Sequence, residues 1–477
     1  MKNIALVGVG PHARKIYYPL LEKYQAQFNI HLSLVIDLED QRSKIERFIL
    51  ESNLKPEKSI YLDNNDHNRL GDKLDPIAEK ELDLLVSQRR IDGIIIATEP
   101  KAHNIYLKWA TDNNIPILLD KPITSPVGSN VDIESSKKVY RDFLEIEQMV
   151  KKSKGRCYVS VQRRSHDGYI FIRDYLNDFI KQYGVPISYF DSYFADGTWT
   201  MPNEFEKENH PYKYGYGKLM HSGYHGVDLF SWITELNDQV VDKKPNQARL
   251  YVNSFSPVDF FHQINQQNYE KLFGKSENIT SFFEKYQEEN FKNYGELDVF
   301  IMLQLLRDNK VVTTGSITLQ QNSFSRRAWL DLPEDTYKGN GRLRHERQNI
   351  QVSNLLNIQV HTYQAYEARN RATESIEGVG NEHHFDIYLF RNSGLVGGKN
   401  FEKIDFGQDM KKKNEDDIYY MGHNEKGKDN ILLKFLNNEE DNSELSQQDR
   451  TNKILAKVCE ALAAGRNNNI PYVTFEI

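Results

Sequence analysis

The apolar run Ile4-Ala5-Leu6-Val7 is followed at once by Gly8-Val9-Gly10-Pro11-His12-Ala13, a GxGxxA pattern. A first glycine permits a tight turn, and a second lets the backbone approach a pyrophosphate. A small third residue lets the following helix pack closely on the strand. Free N–H groups at that helix's N-terminus, together with its dipole, favour an anion there. Asp37 closes a second apolar run, His31 to Ile36. It lies at the separation expected of a carboxylate that binds an adenosine ribose diol. A carboxylate there repels a 2′-phosphate, so the pattern favours NAD over NADP. The loop and its partner give Gly8, Gly10, Pro11, His12, Ala13 and Asp37 as candidate cofactor-binding residues.

His221 and His225 form a second constellation. Their i, i+4 spacing can place two zinc ligands on one helix face. The glutamate of HExxH is absent, because Ser222 follows His221, and a metal would need His210, Asp228 or another distant ligand. No metal is expected. The adjacent pair His383-His384, after Glu382, is given no role. Tyr212, Tyr214 and Tyr216 cluster just before the histidines. They suit a stacking surface for a sugar and equally a packed core or interface, and both readings stay open.

These groups must be held by regular elements. Over the first 125 residues strand and helix signals alternate. Pro11 to Tyr24 has helical spacing, with Pro19 deep enough to kink it. Pro76 to Arg90 and His103 to Asn113 also read as helices. Gly93 to Ala97 is a continuous apolar strand of the kind buried on both faces of a parallel sheet, and Pro116 to Leu119 is another. Such alternation implies right-handed βαβ units and a doubly wound sheet. Glu134 to Lys154 reads as an amphipathic helix and Arg156 to Gln162 as a strand, so a domain boundary is placed near residue 155. Beyond it, Ile187 to Phe190, Leu297 to Leu306 and Lys310 to Gln320 read as longer strands of a largely antiparallel sheet. Helices are expected at Tyr224 to Thr234 and around Ser276 to Asn293. The fold class is α/β: a Rossmann domain over 1–155, then an α+β domain over 156–477. The stretch from about Glu402 to Asn452 is rich in Lys, Asp, Glu and Asn and is expected as surface excursions. Lys453 to Ala464 reads as a closing helix, and no internal repeat is apparent.

Three further segments are Ile96-Ala97-Thr98-Glu99-Pro100-Lys101-Ala102-His103, Leu119-Asp120-Lys121-Pro122, and Gly215 to Asp228 with its HxxD ending. In this order, behind GxGxxA, the chain resembles the glucose-fructose oxidoreductase / inositol dehydrogenase / MocA family over roughly residues 1 to 235. The resemblance implies a Rossmann domain paired with an open-sheet α/β domain that often makes oligomer contacts, hence a homodimer or homotetramer. It implies a nicotinamide-dependent reaction at a carbinol of a sugar, cyclitol or related molecule. It places Ala97, Thr98 and His103 beside the cofactor, with Asp120 and Lys121 at the Glu-Lys-Pro motif between nicotinamide and substrate. His225 matches the acid/base histidine, while Gln162 and Arg163 match positions near nicotinamide and substrate. Three positions depart from the family pattern. Asp120 stands for the usual Glu, Tyr216 interrupts a glycine triplet, and His221 stands where many members carry Asp. His221 and Tyr216 are accordingly candidate substrate contacts, with a proton relay as a further reading for His221.

Hydride transfer from a carbinol needs a group to take the hydroxyl proton, which imidazole suits near neutral pH. It also needs a cation to stabilise the reacting oxygen, which suits Lys121. With 477 residues two domains are expected. A net charge of −7 and a pI near 6.1 give no basic surplus for nucleic acid. No apolar run approaches the roughly 20 residues that cross a bilayer, and Met1 to Ile4 runs into strand-like sequence without a signal peptide's apolar region. Only Cys157 and Cys459 occur, outside any CxxC, so neither a disulfide framework nor a cysteine zinc site is expected. The expectation is a cytoplasmic enzyme with a small sugar-like substrate. Two other functions remain open at this point: a redox-neutral lyase or glycosidase using tightly held NAD, and a catalytically silent NAD-binding protein.

Overall fold

A computed structural model describes residues 1–64, 73–197, 201–207, 211–285, 287–325, 342–365, 384–420 and 422–477. The chain forms two compact units. The first comprises Met1–Ser125, Tyr140–Asp167 and Glu415–Asp449, and the second Pro126–Val139, Gly168–Asn414 and Arg450–Ile477. Where the sequence reading sets one boundary near residue 155, the chain passes between the units several times.

Among the described residues the first unit carries a six-stranded, all-parallel sheet. Its strands are β1 (Lys2–Val7), β2 (Ile30–Leu38), β3 (Lys58–Leu62), β4 (Gly93–Ile96), β5 (Ile117–Leu119) and β6 (Cys157–Val159), in the order β3-β2-β1-β4-β5-β6. This is the doubly wound order, which reverses between β1 and β4 and leaves a ligand crevice at their carboxyl ends. All four residues of β4 are buried, as its unbroken apolar sequence requires. The first helix opens as a wide π-type turn at Ala13–Tyr17 and becomes regular only from Tyr18 to Phe28. Pro19, which lacks an N–H, sits at the start of the regular part. Helix Pro76–Ser87 begins where Asp75 accepts the Ile77 N–H, with Pro76 in the first turn.

The stretch read as surface excursions is instead partly core. Helix His423–Asn437 belongs to the first unit and buries Ile431, Leu432, Phe435 and Leu436. The Phe435 ring lies so close over Gly93 that a Cβ there would meet it at 2.5 Å, and Tyr158 meets the same ring edge-on at 6.1 Å. The charged residues that suggested exposure are largely paired: Asp429 accepts from Tyr24 Oη (2.5 Å), Lys23 Nζ (2.7 Å) and Lys426 Nζ (2.9 Å). Beyond the helix, Ser443 accepts the Val159 N–H (2.9 Å) and Arg156 pairs with Glu444 (2.7 Å), so residues 443–444 line the outer edge of β6.

The second unit holds, among its described residues, a nine-stranded mixed sheet. It comprises β7 (Tyr189–Gly197), β8 (Gln247–Phe255), β9 (Asp298–Arg307), β10 (Lys310–Gln320), β11 (Leu343–Val352), β12 (Leu356–Ala365), β13 (His384–Arg391), β14 (Phe401–Asp405) and β15 (Tyr472–Glu476). The order is β14-β13-β12-β11-β7-β10-β9-β8-β15, antiparallel except for the β7–β10 pair. Helix Tyr224–Thr234 is buried throughout. At Gly226 an added Cβ would approach Phe194 of β7 and Leu319 of β10 at 3.0 Å, so the helix lies close on the middle of the sheet. Among the described residues no helix is long and apolar enough to cross a membrane.

Candidate functional site

The glycine turn lies at the switch point of the first unit. Gly8 has φ +88°, and a Cβ there would meet the Ala97 carbonyl carbon and oxygen at 2.7 Å and the Thr98 nitrogen at 2.8 Å. Only glycine allows this approach between the ends of β1 and β4. At Gly10 a Cβ would meet nothing within 4 Å, so the space beside that residue is open. Ala13 is fully buried, as close helix–strand packing requires. The Asp37 carboxylate ties the turn to β2, accepting the Val9 N–H at 2.6 Å and the Leu38 N–H at 2.7 Å. Each oxygen takes one donor, which leaves acceptor capacity for two hydroxyls. Burial raises the Asp37 carboxyl above the ordinary carboxylate range, and the two N–H donors offset this only in part.

Around the β5 end, His12 Nε2 lies 3.7 Å from Asp120, whose other oxygen accepts the Lys121 N–H at 2.9 Å. Burial alone would raise the Asp120 carboxyl, but the charges of His12, Lys121 and Lys428 outweigh it and hold the group low. Lys428 comes from the helix that the sequence reading placed in solvent. The Lys121–Pro122 peptide bond is cis.

His103 is wholly enclosed. Its Nε2 is 3.0 Å from the Thr98 carbonyl oxygen, and its Nδ1 is 3.0 and 3.3 Å from those of Pro122 and Ile123. The ring braces the two loops carrying Thr98 and Lys121 against each other, so it shapes the site through them.

Gln162 and Arg163 are not on a strand. The strand stops at Val159, and both residues sit in a buried 3₁₀ turn, Gln162–Ser165. Helix His423–Asn437 crowds this turn, since a Cβ at Gly427 would lie 2.4 Å from the Gln162 carbonyl oxygen. Next to it His166 Nε2 meets His423 Nδ1 at 3.0 Å, one ring donating to the other. Burial, then the neighbouring His423 and Arg163, holds His166 far below its ordinary range, and burial lowers His103 as well. An unfolded chain takes up protons at these rings near pH 6.5 while the folded chain keeps them neutral. The unfolded state therefore binds more protons, and stability falls as pH drops below that value. Melting curves from pH 8 to pH 5 should show this decline, with a shallower slope in His166→Gln; an unchanged slope would contradict the assignment.

In the second unit the histidines sit where a wide turn, Leu219–Gly223, gives way to the regular helix Tyr224–Thr234. His221 and His225 therefore straddle a change of helical pitch and do not share one regular face. His221 Nε2 lies 3.2 Å from the Pro211 carbonyl oxygen, and Tyr212 and Tyr216 pack edge-on to its ring at 5.1 and 6.0 Å. Tyr216 is enclosed and shapes His221. His225 is 6% exposed, and Asp228 on the same helix accepts from Thr451 Oγ1 at 3.0 Å. Among the described residues no group of three or more His, Cys, Asp or Glu is arranged to hold a metal. His210, Glu382 and His383 lie outside the described residues.

No protein-family model matches the chain, and no curated protein matches its sequence. Solved structures do match. A levoglucosan dehydrogenase in complex with NADH aligns over 100% of this chain and 99% of its own, with a TM-score of 0.57 and 12% identity. An aldose-aldose oxidoreductase from Caulobacter crescentus, complexed with glycerol, covers 100% of both chains at a TM-score of 0.53 and 10% identity. A 3-ketoreductase from Actinomadura kijaniata, solved with NADP, covers 95% of each chain at 0.52 and 9%. The chain shares their fold. The Rossmann sheet and the largely antiparallel second sheet expected from the sequence are both present in it.

Proposed function

We propose that the protein is an oxidoreductase of the glucose-fructose oxidoreductase / inositol dehydrogenase / MocA type. On this reading it moves hydride between NAD(H) and a carbinol of a sugar, cyclitol or sugar derivative. The observation that carries the reading is the Gly8 turn at the β1–β4 switch point, with open space at Gly10 and the Asp37 carboxylate held beside it. These residues fit a dinucleotide: the turn and helix start suit the pyrophosphate, and Asp37 suits two ribose hydroxyls. Bound NAD would supply the hydride acceptor. Lys121 donates to the reacting oxygen, and His225 takes the hydroxyl proton as the C=O bond forms; in reduction it returns that proton. His221, with Nε2 directed at a backbone carbonyl, positions substrate. The same reading makes the protein a cytoplasmic homo-oligomer with a small sugar-like substrate.

Two measurements test this. Fluorescence titration should show NADH binding more tightly than NADPH, and Asp37→Ser should weaken NADH by about tenfold while narrowing the preference. Absorbance at the NADH band, with NAD and a panel of sugars, sugar acids and inositols, should reveal a substrate. Failure to bind either dinucleotide would overturn the proposal. Binding with no net NADH formation, while a substrate is nevertheless consumed, would replace it with redox-neutral turnover.

A further inference from the structure

The wide turn that carries His221 is held from outside itself. The first N–H groups of a helical segment have no acceptor within it, so another part of the chain must supply one. Here the supplier is Glu296, just ahead of β9 and 77 residues beyond Leu219. Its backbone carbonyl accepts the Lys218 N–H at 2.8 Å, and its carboxylate Oε1 accepts the Leu219 N–H at 2.8 Å. The other oxygen, Oε2, accepts from Asn130 Nδ2 at 2.9 Å. The Met220 and His221 N–H groups then turn to the Gly217 carbonyl, at 3.0 and 2.9 Å, as the wide turn Leu219–Gly223 begins. The Asn130 N–H donates to the Gly215 carbonyl at 3.0 Å, which holds the stretch leading into the turn from a second side.

Two glycines let these segments touch backbone to backbone. A Cβ at Gly217 would lie 2.1 Å from the Glu296 carbonyl oxygen, and one at Gly295 would lie 2.0 Å from the Tyr216 carbonyl carbon. The Gly295 N–H also donates to the Tyr212 carbonyl at 2.9 Å. Residues 295–296 therefore grip the turn that bears His221 and the backbone of Tyr212 and Tyr216. The rings of those two tyrosines stand edge-on to the imidazole at 5.1 and 6.0 Å. Glu296 is 2% exposed, and a carboxylate is an expensive group to bury. Burial raises its carboxyl, which the donors Asn130 and Leu219 and the charge of Arg466 oppose. Asp298, two residues on, is engaged separately by the N–H groups of Gln321 and Asn322. A charged acceptor grips N–H groups more firmly than a neutral one does, and here the grip falls at the root of the histidine turn.

We propose that Glu296 is a positioning residue for His221: its carboxylate and its carbonyl hold the first N–H groups of the wide turn and so fix where the imidazole stands against Tyr212 and Tyr216. A turn released at Leu219 is free to tighten toward regular helical pitch, because a π-type turn is the rarer form. Tightening rotates His221 relative to His225. The inference rests on the proposed function only for what His221 does there, which is to position substrate; the placement of the ring is read without turnover.

Isotope labelling of the histidine rings in the full chain would give a nuclear magnetic resonance signal for each imidazole, with His221→Asn identifying that of His221. Glu296→Met keeps the length of the side chain and removes both carboxylate acceptors. In it the His221 signal should leave its wild-type position while those of His103 and His166, in the other unit, stay. Glu296→Gln keeps an acceptor for Leu219 and should recover at least about half of the displacement. Where Glu296→Met does not fold, Glu296→Asp, one methylene shorter, gives the same test with a smaller displacement. On a substrate found by the NADH assay, Glu296→Met should raise KM about tenfold with kcat within about threefold, and in a His221→Asn background it should add less than about twofold. Four results would each overturn the inference: an unmoved His221 signal, a displacement shared with His103 and His166, one that Glu296→Gln leaves undiminished, or a KM effect that adds in full to that of His221→Asn. A displaced signal rescued by glutamine, in a protein that binds no dinucleotide, would uphold the placement while removing the dehydrogenase reading.

Discussion

Gly10→Ala is expected to leave the fold intact and to remove dinucleotide binding, whereas Gly8→Ala should damage both. The two glycines are two residues apart, but their surroundings differ. A methyl at Gly10 meets nothing within 4 Å, so the chain loses nothing on folding. It does fill the space through which the backbone would approach a pyrophosphate, and affinity should fall by at least about tenfold. At Gly8 the methyl would lie 2.7 Å from the Ala97 carbonyl, on a backbone at φ +88°. Strain of that kind costs on the order of 1–3 kcal/mol before the clash is added. Thermal melting and NADH titration on both variants would separate the outcomes. Tight NADH binding by Gly10→Ala would show that the open space is not the phosphate cradle.

Lys121→Met should lower kcat by about a hundredfold or more while NADH affinity changes little. The Lys121 backbone N–H is held by the Asp120 carboxylate, in a loop braced by His103. Methionine keeps the bulk and removes the cation, so a loss confined to kcat would assign Lys121 to the developing oxygen charge. His225→Asn should cause a comparable fall, and the double variant should fall by less than the product of the two if both act on one proton and oxygen. A rise in KM with unchanged kcat would instead make Lys121 a binding residue only.

Most of the first unit's fold was legible because its signals are local. The Gly8 turn, Asp37 and the unbroken apolar β4 each declare themselves within a dozen residues, and the structure joins them as expected. The histidine motif was legible only by resemblance. Nothing in its spacing revealed the wide turn at Leu219–Gly223 that separates the pitch of His221 from that of His225. Helix His423–Asn437 reads as polar surface because its apolar anchors are few and its charges pair with one another: the buried Asp429 carboxylate accepts from Lys23, Lys426 and Tyr24. Composition cannot tell a paired buried charge from a solvated one.

The interleaving of the units also sets an order on biogenesis. The outer edge of β6 and the Gly93 face are covered by residues that emerge roughly 250 positions after Asp167. At about 5–20 residues per second, a ribosome leaves that parallel-sheet edge and apolar face uncovered for tens of seconds. An unpaired edge of this kind is a template for association with other chains. Yield in a heterologous host should therefore track chaperone supply more closely than the melting temperature of the finished molecule.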